Sequence, residues 1–345
     1  MLKHTVTPSL RNITILLVFF TLLQACSREL PPQQSLELAR KGLHAAALSS
    51  DGSIAVIGSI HHGGSLWQLN TQQRIYNWNH KAGENSTIIA ATISRDGLWS
   101  LTADPAALVL WNNQTGEGAR YWTAPGEILD AKLDYGGNTA LLGLSDHSAV
   151  LFDIRRGGIR QSFTHSNRVR SVDLSENGQL ALTGSEDYTA TSWDANTGKA
   201  LARLKHDNDV QLVRLSPDGA MALSVSKYDR AVLWQTHSGE VIGELPLKAE
   251  HLKRGLSFTA ARFNNDNTLL LTGRPDQMVQ LWKVPELVEI ERWRLPKRNK
   301  WKPTSAAVLA VAFAPNSEGF YAIASNGFAH WLQTKTPSSM PGVVE

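Results

Sequence analysis

An all-β fold built from seven copies of one four-stranded antiparallel unit is what this 345-residue sequence predicts, and three observations predict it. A large aromatic recurs at Trp67, Trp111, Phe152, Trp193, Trp234, Trp282 and Trp331, at successive spacings of 44, 41, 41, 41, 48 and 49 residues. A near-constant period of this length marks one supersecondary unit repeated along the chain. Upstream of each aromatic stands a turn pair: Asp51-Gly52, Asp96-Gly97, Gly136-Gly137, Asn177-Gly178, Asp218-Gly219, Asp266-Asn267 and Glu318-Gly319. Such pairs supply the positive φ of a tight hairpin at little cost. Flanking the pairs are short apolar runs such as 210–215 and 220–225, whose alternate side chains fall on opposite sheet faces.

Each element of the unit follows in order. A first strand leads into the turn pair and a second strand leaves it. A third run ends at the aromatic, as at 231–234, and a second Gly turn follows at 113–116, 155–158, 196–198 and 236–239. A fourth strand then connects to the next unit.

The most regular copy runs from His165 to Gly178 and from Leu180 through Trp193-Asp194. It resembles the WD40-repeat family. The resemblance implies a structural hydrogen-bond network of His165, Thr183, Asp187 and Trp193. In the next copy His206 and Trp234 keep the same separation, but Tyr228 stands at the expected Asp position and Asp229 one place later. Asp146 and Asp276 each precede their aromatic by six residues with no matching His. Covering residues 36 to 333, the resemblance implies a seven-bladed β-propeller, in which radial repetition protects the sheet edges. The last unit stops after its third strand, near Gln333. The spare segment 36–40 is therefore expected to close the ring as the outer strand of the last blade. The propeller is placed at 35–335 and a tail at 336–345.

Residues 1–25 predict an export signal. Lys3 and Arg11 form a positive leader, and the apolar run 13–23 has 11 residues, half of what a membrane span needs but right for a secretory signal. It ends in Leu23-Gln24-Ala25-Cys26, which resembles the lipobox of bacterial lipoproteins. That resemblance implies cleavage before Cys26 and acylation of the cysteine, the only one in the chain. Two or more acyl chains anchor stably where one is marginal. Ser27 rather than Asp after the cysteine favours the outer membrane, with 26–34 as a polar tether stiffened by Pro31-Pro32.

Composition excludes several function classes. The chain carries 34 Lys and Arg against 31 Asp and Glu. Residues 1–25 hold one Lys, one Arg and no acid, so the mature chain balances 32 basic side chains against 31 acidic ones. No global field draws it to nucleic acid. Without a second cysteine there is no internal disulfide. No cofactor is expected, and no metal: the one close His pair, His61-His62, falls in an exposed loop. No Gly-x-Ser-x-Gly elbow is present, and the acids fall mostly in repeat-register turns. The expectation is therefore a monomeric, non-catalytic chain.

The expanded connections before the sixth and seventh aromatics carry the candidate site. Segments 245–256 and 292–303 both join a fourth strand to the next first strand, so they share one rim. They gather Lys248, His251, Lys253, Arg254, Lys297, Arg298, Lys300 and Lys302, with Trp301 interleaved. His165, Arg168, Arg170, Lys205 and His206 are expected to open onto the same face. A basic rim with an apolar anchor suits an acidic protein partner or anionic lipid headgroups. Three classes follow: an envelope scaffold for protein partners, which the fold favours; a lipoprotein binding headgroups or envelope polymer; and an envelope enzyme.

Overall fold

A computed structural model describes residues 29–81, 83–247, 257–299, 301, 306–315 and 319–334. Its strands form seven four-stranded antiparallel sheets, with no α-helix among the described residues. Six sheets are simple meanders of consecutive strands, at 43–78, 90–123, 128–164, 169–205, 210–245 and 260–294. The seventh takes three strands from 308–332 and its outermost one, Gln34–Glu37, from the start of the described chain. The fold is a seven-bladed β-propeller closed by an N-terminal strand, and that strand lies slightly upstream of the expected 36–40.

The core is distributed rather than central. Seven buried hydrophobic clusters occur, one in each wedge between neighbouring blades, including the wedge between the seventh blade and the first. Strand alternation explains how. In the second strand of blade three, Thr139–Leu144, every residue is buried. Leu142 faces the wedge toward blade two, and Leu141 faces that toward blade four. Both sides of each blade are thus dry, and each side depends on a neighbour.

The repeat aromatics all fall on third strands, and six of them sit at a β-bulge. The pairing between third and fourth strands shifts register at Trp67, Trp111, Phe152, Trp193, Trp234 and Trp282. A bulge bends and twists its strand, which lets each outer strand wrap its blade. In the seventh blade the closing strand pairs without such a shift, Gln34 opposite Trp331 through Glu37 opposite Phe328. Trp331 is half-buried there and meets Tyr321 edge-on at 4.6 Å. The turn pairs behave as expected at Gly52, Gly97, Gly137, Gly178, Gly219 and Asn267, all with positive φ. Gly319 is not in that region, and Glu318 lies outside the described residues.

Closure is reinforced beyond the strand itself. The amides of Leu38 and Ala39 both donate to the Gly327 carbonyl, and that of Leu43 to Ser325. Upstream, the Leu30 amide donates to the Arg292 carbonyl and the Arg294 amide to the Leu30 carbonyl, while Glu29 pairs with Arg294. Within the segment assigned to a tether, Glu29 and Leu30 are therefore docked on blade six, and Gln33 and Gln34 on blade seven. Cys26 and the rest of residues 1–28 lie outside the described residues.

Gly327 has φ +91°, and a Cβ there would lie 2.0 Å from the Ala39 carbonyl oxygen. Gly97 has φ +72° with nothing within 4 Å. Gly97→Ala is expected to cost about 1 kcal/mol, the backbone term alone. Gly327→Ala adds a backbone clash at the closure and costs at least twice as much by urea denaturation. Equal costs would show that the 38–43 crossover contributes nothing to stability.

Candidate functional site

Two places concentrate polar side chains: the rim formed by the second-to-third turns with the fourth-to-first connections, and the central channel. The rim rests on buried networks. In blade four, Asp187 can only accept, so the His165 Nδ1 at 2.9 Å carries the proton. The Thr183 hydroxyl then donates to Nε2 at 2.7 Å and accepts the Trp193 Nε1–H at 2.8 Å. Burial alone would raise the Asp187 carboxyl, but hydrogen bonds from His165, Thr189 and the Ser166 amide hold it far below the usual carboxylate range. Hydrogen bonds thus link Asp187, His165, Thr183 and Trp193 in one chain.

The sequence missed a second complete network. His80 meets Asp104 at 3.0 Å and Thr102 at 3.0 Å, and Thr102 accepts from Trp111 Nε1 at 2.8 Å. Between His80 and Thr102 the chain is four residues longer than in blade four, and Asp104 precedes its aromatic by seven residues, so a fixed-spacing comparison skips both. The displaced Asp229 is also used. His206 reaches Ser226 at 3.1 Å, and the Ser226 hydroxyl donates to Asp229 at 2.7 Å, so a serine relays what the aspartate does directly elsewhere. Ser224 bridges His206 and Trp234 in the position of the threonine.

These networks correct part of the basic rim. His165 and His206 are buried and do not open onto the face. Arg170 pairs with Glu186. Arg298 is committed to the ring closure: it donates to the Ala39 carbonyl at 2.6 Å and the Asn326 carbonyl at 2.9 Å, pairs with Glu37 at 2.8 Å, and lies over the Phe328 ring at 4.7 Å. Its charge is structural. Arg168, Lys205 and Lys297 are exposed. Trp301 is 95% exposed, whereas the other ten tryptophans are buried or half-buried. Lys248, His251, Lys253, Arg254, Lys300 and Lys302 lie outside the described residues. His61 and His62 are both exposed, and among the described residues no three His, Cys, Asp or Glu side chains converge as metal ligands.

Outer-strand tryptophans, which stand outside the repeat register, add stitches that the sequence did not reveal. Trp78 Nε1 donates to the Gly116 carbonyl, Trp122 to Ile154 and Trp293 to Gln333, each in the next blade or just beyond its last strand. Trp78 also stacks on Trp111 across the wedge at 5.0 Å.

The channel is lined by innermost strands. Its inner cavity, about 210 Å³, lies among 44–48, 89–93, 130–132, 260–262 and 309–311, with Arg214. An outer cavity of about 370 Å³ opens at the rim of the first-to-second turns. Acids on these strands tie blade to blade. Asp130 accepts from the Val172 amide at 2.9 Å, and Asp173 from the Leu215 amide at 2.8 Å.

Burial pushes the His206 imidazole down to about 4, with Arg230 adding to the effect, and pushes His330 down to about 4. Both stay neutral when folded, whereas the unfolded chain takes up protons below about 6.5. Stability is therefore complete above that value and falls as pH drops toward 4, by about 2–3 kcal/mol for each histidine. Urea midpoints at pH 7, 5.5 and 4.5 check this, and His330→Gln should remove part of the slope.

Residues 157–194, which run from just before the outer strand of blade three through the third strand of blade four, match the family described as WD domain, G-beta repeat (WD40). No curated protein matches the chain. With that match seated on one unit of a closed seven-bladed ring, the fold is a WD40-like β-propeller.

Proposed function

We propose that this chain is a non-catalytic scaffold of the bacterial cell envelope, held to the membrane through an acylated Cys26 and docking a protein partner with an acidic surface on the Trp301 rim. One observation carries the docking surface: among eleven tryptophans, only Trp301 exposes nearly its whole side chain, on the same connection as the exposed Lys297. Large aromatics ringed by charge are what dominates binding energy at protein interfaces. Propellers of this kind commonly serve as platforms for protein partners. That analogy supports the choice of partner class, although a fold does not by itself fix a function.

A second reading is favoured by where the chain leaves the ring. Arg294, which holds Glu29, also donates to the Asp276 carbonyl in a second-to-third turn, so Glu29 departs beside the basic rim. Cys26 stands four residues before the docked Leu30, a reach of at most about 14 Å. An anchor that close would bring the rim to the headgroups, where each Lys or Arg gains about 1 kcal/mol near an anionic surface.

Two experiments separate these readings. Cys26→Ala should move the protein from the membrane fraction to the soluble one, and continued membrane association refutes the anchor. With that unacylated chain, Trp301→Ala and Lys297→Glu should each reduce crosslinked capture of a partner from envelopes at least several-fold, more so at low salt. Unchanged capture, together with salt-sensitive pelleting on anionic but not zwitterionic vesicles, replaces the protein partner by the lipid surface.

A further inference from the structure

The waist of the central channel carries a cluster of cations that docking on the rim does not use. Lys132 of blade three, Arg214 of blade five and Arg262 of blade six line both cavities, at the level where one passes into the other. Blades one, two and seven line the inner cavity with Ala46, Ile93, Leu309 and Val311 beside His44 and Thr92. Three innermost strands thus place long basic side chains at one shared space of the channel.

The nearby carboxylates balance these charges only in part, through the Lys132–Asp173 ion pair. Asp173 stands 3.7 Å from the Lys132 ammonium, beyond hydrogen-bond reach, and its oxygens already accept from the Leu174 and Leu215 amides at 3.1 and 2.8 Å. Asp130 accepts from the Ala131 and Val172 amides and from the Ser171 hydroxyl. Arg262 reaches two backbone carbonyls, Ser49 at 2.5 Å and Leu48 at 3.2 Å, and Arg214 reaches its neighbour's carbonyl at 2.6 Å. Neither guanidinium has a carboxylate within ion-pair distance among the described residues.

The remaining acids lie at the outer mouth. Asp51, Asp134 and Asp266 each hold the amides of their own turn. Arg95 pairs with Glu176 and donates to Asn265 at 2.9 Å, linking blades two, four and six. Positive charge is therefore concentrated at the waist and negative charge at the entrance.

The cations burden one another. Burial lowers the Lys132 ammonium, and although Asp173 offsets part of this, Arg214 and Arg262 push it further down. Burial likewise lowers Arg262 to about 10, against the pull of Asp173 and with Arg95 and Arg214 adding to the shift. Yet the Lys132 side chain keeps 29% of its surface open to the channel, so a solute can reach it.

We propose that the channel waist binds a phosphate group, free or carried as the ester of a small molecule, between Lys132, Arg214 and Arg262. A phosphate accepts from the forked guanidinium donors and the ammonium together. The combined cavities are of the size that holds small ligands. This inference stands apart from the docking proposal, since none of its residues lies on the Trp301 rim.

Calorimetric titration of the purified chain with inorganic phosphate and, separately, with glycerol phosphate tests it, with sodium chloride at equal ionic strength as the reference. Saturable one-to-one binding of either probe is expected. Tighter binding of the ester identifies an organic monoester as the ligand class, and equal or tighter binding of the inorganic ion identifies the free anion. Lys132→Met and Arg214→Gln should each weaken affinity roughly 10-fold or more, the loss of one charge-assisted hydrogen bond, while Lys199→Met on the outside leaves it unchanged. Thermal unfolding without phosphate verifies that each variant is folded, and the two channel variants serve as alternatives should one fail. No binding beyond the chloride reference, or equal weakening by Lys199→Met, overturns the proposal.

Discussion

Every blade of this ring is dry on both faces, and that single constraint governs the rest of the structure. A free-standing blade would expose two apolar surfaces, and an open row of blades would leave one exposed at each end. The wedge between the seventh blade and the first, with Leu38, Leu48, Ile57 and Ile323, is therefore as necessary as any of the other six. Its formation depends on a four-residue strand, Gln34–Glu37, that comes from the opposite end of the chain. Arg298 gathers the carbonyls of Ala39 and Asn326 with the Glu37 carboxylate at that junction, which explains why a residue from a nominally solvent-facing connection is so fully engaged.

The polar networks show how far a repeat can drift while its geometry survives. In blade four, His165 reaches its acid directly. In blade five, Ser226 stands between His206 and Asp229. In blade six no histidine joins the network among the described residues, and Trp282 still donates to Thr272 at 2.9 Å. What persists through all three is the indole N–H donating to a hydroxyl on the second strand. A buried indole left without that acceptor would pay the full desolvation cost of its N–H. The family match over a single stretch fits this pattern, because only blade four retains every member at its usual spacing.

The fold was legible in the sequence because its cause is periodic. Trp193, Gly178 and the alternation around them recur often enough for seven weak signals to agree, and the ring closure followed from counting strands. The parts that were not legible depend on contacts that have no period. His80 and Asp104 were hidden by a longer connection and a shorter turn. Trp78, Trp122 and Trp293 were hidden because their partners lie in the neighbouring blade. Arg298 was grouped with the basic rim because its sequence neighbours are basic, while its structural neighbours, Glu37, Ala39 and Asn326, are remote in sequence or on another blade. Lys132, Arg214 and Arg262 stand 82 and 48 residues apart, on first strands whose inward-facing positions only the closed ring brings together.

The docking of Leu30 beside Trp293 decides what happens when the N-terminus is pulled. Tension arriving there meets the Glu29–Arg294 pair and the two backbone bonds of Leu30 first. It reaches Gln34–Glu37 and its ladder to 328–331 only after those give way. The same few residues that complete the ring are placed to act as its mechanical fuse. A load strong enough to peel them away would expose the apolar wedge between the last blade and the first.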